Sequence, residues 1–423
     1  MDKNYLKLVI VGHVDHGKST LIGRLLVDTG VMPQSKIDEV KTVCESLGRP
    51  FEFAYLMDYM EEERQKKITI DTAQIFFKTA LRDYVIIDAP GHKEFLKNMI
   101  TGSAQAEGAI LIVDAKEGIK EQTKRHAYIL SLLGLKQIVI VINKMDLVDY
   151  QETKFEEIKT ELLKHLTAVN LTPTYIIPIS ASNGDNIANK STKINWYSGP
   201  TVLQALDSFS ETLPTQSLPL RLPVQDIYTA ADRKTWAGLG ETDHSDKDLL
   251  VGQIESGTIS VNQEIIFLPG NQKTTVVAVK KWNQDPTSVS AGHNIGLIIK
   301  DDLPIKRGQV ACATNDLPKV TNQFNARIFW MSPSGIKIGE KFILKCATQE
   351  TEAEIKIINK VIDSSSLEIL TDRKEEIKET EVADVTIITS NPIVVEDYNY
   401  IQELGRFVII SGEDIAASGI VIN

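Results

Sequence analysis

The feature that most restricts the fold of this 423-residue chain is a glycine-containing loop near its N-terminus. Residues 12–19 read Gly-His-Val-Asp-His-Gly-Lys-Ser. They follow an apolar run, Leu6 to Val11, and precede a helical pattern, Ser19 to Val27. A strand, such a loop and a helix in this order surround phosphate oxygens with backbone N–H groups at a helix N-terminus. The sequence therefore predicts an α/β domain that binds a nucleoside phosphate.

Two residues of the loop have specific predicted roles. Lys18 is expected to bridge the β and γ phosphates and to assist catalysis, and the hydroxyl of Ser19 is expected to coordinate Mg²⁺. The loop residues predicted to bind the nucleotide are Gly12, His13, Val14, Asp15, His16, Gly17, Lys18, Ser19 and Thr20.

A second motif, Asp-Ala-Pro-Gly-His at residues 88–92, closes the predicted strand Tyr84 to Ile87. The carboxyl ends of strands in an open α/β sheet are where ligands bind. Asp88 is therefore the candidate second-sphere partner of Mg²⁺, and Gly91 is expected to contribute to nucleotide binding.

Two further motifs follow later strands and concern the base. Asn143 and Lys144 precede Asp146, whose carboxylate can accept hydrogen bonds from N1–H and the exocyclic amine of guanine; adenine offers no such pair. Ser180, Ala181 and Ser182 can offer a backbone N–H to the guanine oxygen. The four motifs together predict a site for GTP and GDP with Mg²⁺.

The chain is predicted to form a doubly wound, mostly parallel P-loop GTPase domain followed by two all-β barrels. Apolar runs alternate with helical patterns over residues 1–213, including an expected helix from Thr201 to Leu213. Short strands rich in Val, Ile and Thr then fill residues 214–317 and 318–423. Residues 230–249 form a polar segment, read either as a surface loop or as a docking element.

Bulk composition excludes several classes of protein. The formal net charge of -11 argues against a broad surface for nucleic acid or anionic membrane. Neither an export signal nor a run of about 18 apolar residues occurs, so a cytoplasmic protein is expected. Cys44, Cys312 and Cys346 are few and far apart, which favours buried, reduced thiols.

These motifs resemble those of the translational GTPase superfamily, which includes elongation factors Tu and one-alpha. By that resemblance Thr69 coordinates Mg²⁺ only while the γ-phosphate is present, and His92 orients the attacking water. Val14 and Ile68 match the two apolar residues that screen this histidine. Lys67 departs from the family, which usually has Gly there, so slow intrinsic hydrolysis is expected if that Gly uses a positive φ.

Within the superfamily the sequence most resembles the large, GTP-binding subunit of sulfate adenylyltransferase. The stretches that carry this resemblance are residues 52–58, 195–201, 223–228, 329–331, 361–367 and 405–409. It implies that GTP hydrolysis drives adenylylation of sulfate in a small catalytic subunit. The alternatives are an elongation-factor-type GTPase that delivers aminoacyl-tRNA and a stand-alone regulatory GTPase.

Overall fold

The structure is a computed structural model, and it describes most of the chain in two compact units. One unit consists mainly of residues 1–212, and the other of residues 213–363 and 367–423. The described residues are 5–49, 51–57, 74–87, 106–210, 215–229, 231, 246–281, 284–366, 368–371, 374–412 and 414–422. Most of the polar segment 230–249 lies outside them.

The first unit is built on a six-stranded sheet in the order β2-β3-β1-β4-β5-β6. Only β2 runs antiparallel to its neighbour, β3; the other pairs are parallel. The inner strands are buried on both faces, which explains their continuous apolar sequences. Its strands are β1 Tyr5–Gly12, β2 Gln74–Lys78, β3 Asp83–Ile87, β4 Gly108–Asp114, β5 Ile138–Asn143 and β6 Tyr175–Pro178.

Amphipathic helices accompany this sheet. In α4, Phe155, Ile158, Leu162 and Leu166 are buried at helical spacing while the charged residues between them face solvent. No described helix combines the length and the apolar character that crossing a membrane requires. The helices are α1 Lys18–Asp28, α2 Gln34–Ser46, α3 Glu121–Leu132, α4 Glu152–Ala168 and α5 Val202–Asp207.

Helix α5 is shorter than the helix predicted from Thr201 to Leu213. Thr201 caps its start, because its side chain accepts a hydrogen bond from the backbone N–H of Gln204. The helix ends at Asp207, whose carboxylate accepts from the hydroxyl of Tyr84 at 2.6 Å. Phe209 then turns into the core, where only 2% of it is exposed. We conclude that burial of the Phe209 ring is more favourable than continuation of the helix.

The second unit begins with a closed six-stranded barrel in the order β10-β11-β13-β8-β7-β14. Alternate apolar side chains fill its interior, as period-2 strands require. Its strands, with the short pair β9 and β12, are β7 Arg221–Tyr228, β8 Leu249–Gln253, β9 Thr258–Ser260, β10 Glu264–Leu268, β11 Gln272–Lys280, β12 Ser288–Ser290, β13 Asn294–Ile299 and β14 Val310–Ala313.

A second barrel follows, in which six strands close in the order β17-β22-β23-β15-β21-β18, with β17 also paired to β18. The fold-class prediction is confirmed. The elements are β15 Lys319–Trp330, β16 Ile336–Lys337, β17 Lys341–Cys346, β18 Gln349–Asp363, β19 Ile369–Thr371, β20 Glu376–Ile377, β21 Glu381–Val395, α6 Gln402–Gly405, β22 Arg406–Ser411 and β23 Asp414–Ile422.

A buried arginine joins the two barrels of the second unit. Arg221 of β7 is fully buried and binds Glu396, beside β21, through Nε at 2.9 Å and Nη2 at 2.6 Å. Its Nη2 also reaches Asp316 at 2.8 Å. Cys312 and Leu404 belong to a small apolar cluster to which both barrels contribute. All three cysteines are buried and free, as predicted.

Candidate functional site

The phosphate loop joins β1 to α1 and depends on two glycines. A Cβ atom on Gly12 would lie 2.6 Å from the carbonyl oxygen of Ile112 in β4. Gly17 has a φ of +95°, and a Cβ atom there would lie 2.4 Å from the side-chain nitrogen of Asn143. Only glycine allows the backbone to pass this closely in this conformation. These two close approaches fix the path of the loop backbone, the cradle in which phosphate oxygens are predicted to bind.

Lys18 closes the cradle from the first turn of α1. Its ammonium group donates to the carbonyl oxygens of Gly12 and His13, both at 2.9 Å. The amine therefore lies across the loop. Ser19 follows on the same turn and is exposed, so its hydroxyl is accessible to a ligand.

The other side chains of the loop face in different directions. Val14 is 58% exposed, while His16 is fully buried. Burial lowers the pKa of His16, against the raising effect of the hydrogen bond to Ile112, so this imidazole is neutral at pH 7. The His13 ring contacts the side chain of Gln122, and Asp15 adopts a φ of +62°.

Asn143 connects three of the predicted motifs. Its Nδ2 donates to the carbonyl oxygen of His16 at 2.9 Å, and its Oδ1 accepts from the backbone N–H of Ala181 at 2.9 Å. The side chain is 2% exposed. One buried amide thus fixes the distance between the phosphate loop and the 180–182 turn.

Lys144 is held by an acidic residue that the sequence analysis missed. Its Nζ lies 2.7 Å from Oδ2 of Asp114, which is 2% exposed at the end of β4. Burial alone would raise the pKa of Asp114, but hydrogen bonds from Lys144 and from the N–H groups of Glu117 and Lys116 hold it below its usual value. Asp114 ends a buried strand, just as Asp88 follows a predicted strand. This position at the carboxyl end of a strand is the sequence signal that could have identified Asp114 as a site residue.

Asp146 presents a buried acceptor that lacks a donor. It lies in the short 3₁₀ turn Met145–Val148, whose first backbone N–H donates to Ile179 at 3.1 Å. Among the described residues, no hydrogen-bond donor reaches its Oδ1. A buried carboxylate oxygen without a partner is unfavourable unless a ligand supplies the donor. The N–H edge of guanine fits this requirement.

The 180–182 turn follows Ile179, whose carbonyl oxygen accepts from the backbone N–H of Met145 at 3.1 Å. Ser180 is buried, and its hydroxyl lies 3.2 Å from that of the exposed Ser182. The N–H of Ala181 already donates to Asn143. Donation from this turn to the guanine oxygen therefore stays a prediction. The described part of the site brings together the phosphate loop, residues 143–146 and residues 180–182.

The remaining predicted site residues cannot be placed in this geometry. Thr69, Asp88, Gly91 and His92 lie outside the described residues, as do Lys67 and Ile68. Their roles rest on their sequence motifs.

Comparison with known proteins identifies relatives over the whole chain. Residues 3–214 match the family described as the elongation factor Tu GTP binding domain, and residues 323–422 match the family described as GTP-eEF1A C-terminal domain-like. Elongation factor 1-alpha of Methanocorpusculum labreanum is 37% identical over 100% of this chain and 97% of its own length. That of Pyrococcus furiosus is 37% identical over 100% and 98%. That of Picrophilus torridus is 38% identical over 96% and 95%.

These relatives overturn the predicted subfamily. The prediction that the chain is a large subunit of sulfate adenylyltransferase is wrong, because these relatives, which match over their full length, are elongation factors. The stretches that suggested it contain packing residues: Trp330 is 1% exposed, Val361 is fully buried and Phe407 packs on Phe324 at 5.8 Å. Such residues pack a barrel core, and this packing does not distinguish one activity from another.

The predicted partners fail with it. The small catalytic subunit was implied only by the resemblance to sulfate adenylyltransferase, and the relatives, named elongation factor 1-alpha, do not support it. The expectation against a nucleic-acid partner is wrong as well, because the relatives are elongation factors. It rested on the net charge of the whole chain, which does not describe the charge of a local surface.

Proposed function

The chain belongs to the family of translational GTPases related to elongation factors Tu and 1-alpha, and we propose that it carries aminoacyl-tRNA in a GTP-dependent manner. It binds GTP and GDP with Mg²⁺. The observation that carries the proposal is the match to elongation factor 1-alpha over 100% of this chain and 97% of the relative. A cytosolic location follows from the proposed role.

The geometry of the base side supports a guanine nucleotide as the ligand. Oδ1 of Asp146, which no donor reaches within the described part of the chain, would accept from guanine, which offers two N–H donors on one edge. Adenine offers its exocyclic amine beside an unprotonated ring nitrogen, so it would leave one carboxylate oxygen unpaired. Such an unpaired group is a strong basis for discrimination between bases.

The phosphate side supports a triphosphate. Lys18 would exchange the carbonyl oxygens of Gly12 and His13 for phosphate oxygens, and the backbone N–H groups of the loop would supply further donors. Ser19, together with Thr69 and Asp88 from their motifs, would hold Mg²⁺, which neutralises phosphate charge. We assign to His92 the orientation of the attacking water.

The proposed role predicts that the GTP form, and not the GDP form, binds charged tRNA. The purified protein would be loaded with a non-hydrolysable GTP analogue or with GDP and titrated with aminoacyl-tRNA in a gel-shift assay. Deacylated tRNA serves as the matched control for electrostatic binding, since it carries the same phosphates. We expect the analogue-bound protein to bind charged tRNA with an affinity at least about tenfold higher than the GDP-bound protein does.

Equal affinity for charged and deacylated tRNA, in both nucleotide states, would contradict the carrier role. Tight guanine-nucleotide binding without any tRNA binding would instead support a stand-alone regulatory GTPase.

A further inference from the structure

The turn that carries Asp146 has unusual backbone at both of its ends. Lys144 before it has a φ of +63°, and Asp149 and Tyr150 after it have φ values of +52° and +55°. A bulky residue such as Tyr rarely adopts this left-handed conformation. Strained residues persist only where their surroundings hold them, and they concentrate at functional sites.

Tyr150 is held at three points. Its backbone N–H donates to the carbonyl oxygen of Met145 at 2.8 Å, which closes the turn. Its carbonyl oxygen accepts from the indole N–H of Trp196 at 2.9 Å. Its hydroxyl donates to Asp185 at 2.9 Å. Two of these contacts, those with Trp196 and Asp185, come from outside the turn and help to hold the left-handed backbone of Tyr150.

The partners of Tyr150 are themselves anchored. Asp185 accepts from the hydroxyl of Ser191 at 2.6 Å, and its backbone exchanges hydrogen bonds with Ser180 at 3.1 and 3.3 Å. The ring of Trp196 packs on Phe155 of α4 at 5.3 Å. The same cluster thus fixes the turn of Asp146 and the 180–182 turn, which lie on the base side of the site.

We propose that Tyr150 and Trp196 are positioning residues that pre-organise the carboxylate of Asp146 for the purine. The inference rests on the proposed guanine site. A carboxylate held in place accepts from both N–H donors of guanine, whereas a loosened one gains less from the second donor. Hypoxanthine offers the ring N–H but lacks the exocyclic amine. The ratio of GDP to IDP affinity therefore reports how well Asp146 is aimed.

The variant Trp196→Phe tests this role. It keeps an aromatic ring against Phe155 but removes the indole N–H that donates to the carbonyl oxygen of Tyr150. Affinities and dissociation rates would be measured for fluorescent GDP and IDP analogues by stopped flow. We expect the Kd for GDP to rise about tenfold and that for IDP by less than about threefold, so the ratio falls.

Trp330→Phe is the matched control. The indole N–H of Trp330 donates to the carbonyl oxygen of Ser334 at 2.7 Å in the second barrel, so this variant loses the same kind of bond elsewhere. Its GDP and IDP affinities should equal those of the wild type. Tyr150→Phe removes only the hydroxyl, and we expect a smaller fall of the same ratio; it carries the test if Trp196→Phe does not fold.

Three results would overturn the proposal. An unchanged ratio in Trp196→Phe and Tyr150→Phe, with normal GDP binding by the wild type, would leave the guanine site intact and remove the positioning role. Equal loss of GDP and IDP would mean that the cluster only stabilises the fold. A folded wild-type protein that binds neither GDP nor GTP would remove the guanine site itself and this inference with it.

Discussion

The side-chain nitrogen of Asn143 lies 2.9 Å from the carbonyl oxygen of His16. The motif at residues 143–146, predicted to bind the base, is therefore hydrogen-bonded directly to the phosphate loop. The oxygen of the same amide accepts from Ala181. A bound nucleotide would span these segments, and its two ends would be recognised at a fixed separation because the side chain of Asn143 sets that separation.

Asn143→Ala should weaken both the fold and the site. The variant leaves a buried carbonyl and a buried N–H without partners, which costs roughly 2–4 kcal/mol of unfolding free energy. The Kd for GDP should rise at least about tenfold as the loop loses its anchor. Denaturant unfolding and titration with a fluorescent GDP analogue measure the two effects.

Gln349→Ala is the control for Asn143→Ala. Gln349 is also buried, and its amide makes two hydrogen bonds with the backbone of Val394, at 2.8 and 2.7 Å, in the second barrel. It should lose comparable stability and keep its GDP affinity. A comparable fall in GDP affinity in both variants would show that the effect of Asn143 is only one of stability.

Asp146→Asn should relax the preference for guanine. The amide offers one acceptor and one donor, so it loses a bond to guanine and can donate to the extra carbonyl oxygen of xanthine. GDP affinity should fall about a hundredfold and XDP affinity should rise, as competition against a labelled nucleotide would measure. Wild-type preference for GDP over XDP in this variant would refute the assignment of Asp146.

Glu255 should make the stability of the second unit depend on pH. It lies between β8 and β9; burial, and next the charge of Glu403, raise its pKa from 4.5 to about 7, against the lowering effect of Arg406. Between those values the folded protein keeps a proton that the unfolded chain releases. Stability therefore falls as pH rises through this window and stays lower above it.

Glu255→Gln cannot ionise and should lose this dependence. Its unfolding free energy should match that of the wild type near pH 4.5 and exceed it by roughly 1–3 kcal/mol at pH 8. Urea unfolding across this pH range gives the comparison. Glu350→Gln, on an exposed side chain, should follow the wild type, and an identical slope in Glu255→Gln would rule out Glu255 as the source.

Arg221→Ala should destabilise the second unit strongly. It leaves Glu396, whose side chain is 10% exposed, without its counter-charge, and breaking a buried ion pair in this way costs about 3–5 kcal/mol. Arg327→Ala breaks a half-exposed pair with Asp384 inside one barrel and should cost about 1 kcal/mol or less. Equal losses of unfolding free energy in the two variants, measured by urea unfolding, would show that the buried pair of Arg221 contributes no more to stability than the pair of Arg327 does.

The sequence was most informative where a local pattern determines the structure. Strands β4 and β5 are buried at every position and are apolar up to their last residues, Asp114 and Asn143, because both faces of these strands are covered. The phosphate loop could also be predicted, because its glycines and Lys18 form a short local pattern. Strand β2 was missed because it is a five-residue strand at the edge of the sheet, with exposed residues, Gln74, Phe76 and Lys78, at alternate positions.

Contacts between distant segments could not be predicted in this way. The pair of Asp114 and Lys144 exists only because β4 and β5 align Asp114 with Asn143. Two of the three contacts that hold Tyr150, those with Asp185 and Trp196, likewise come from segments far apart in sequence. The subfamily was misjudged for a related reason, since Trp330 and Phe407 are retained for packing and carry little information about activity.

The buried guanidinium of Arg221 also bears on how the second unit meets a ligand. A molecule that touches both barrels meets two surfaces whose spacing is already set, so little hinge entropy is lost on binding. A change in spacing would require breaking charged hydrogen bonds away from water. Selection among ligands would then favour those whose own shape matches this separation.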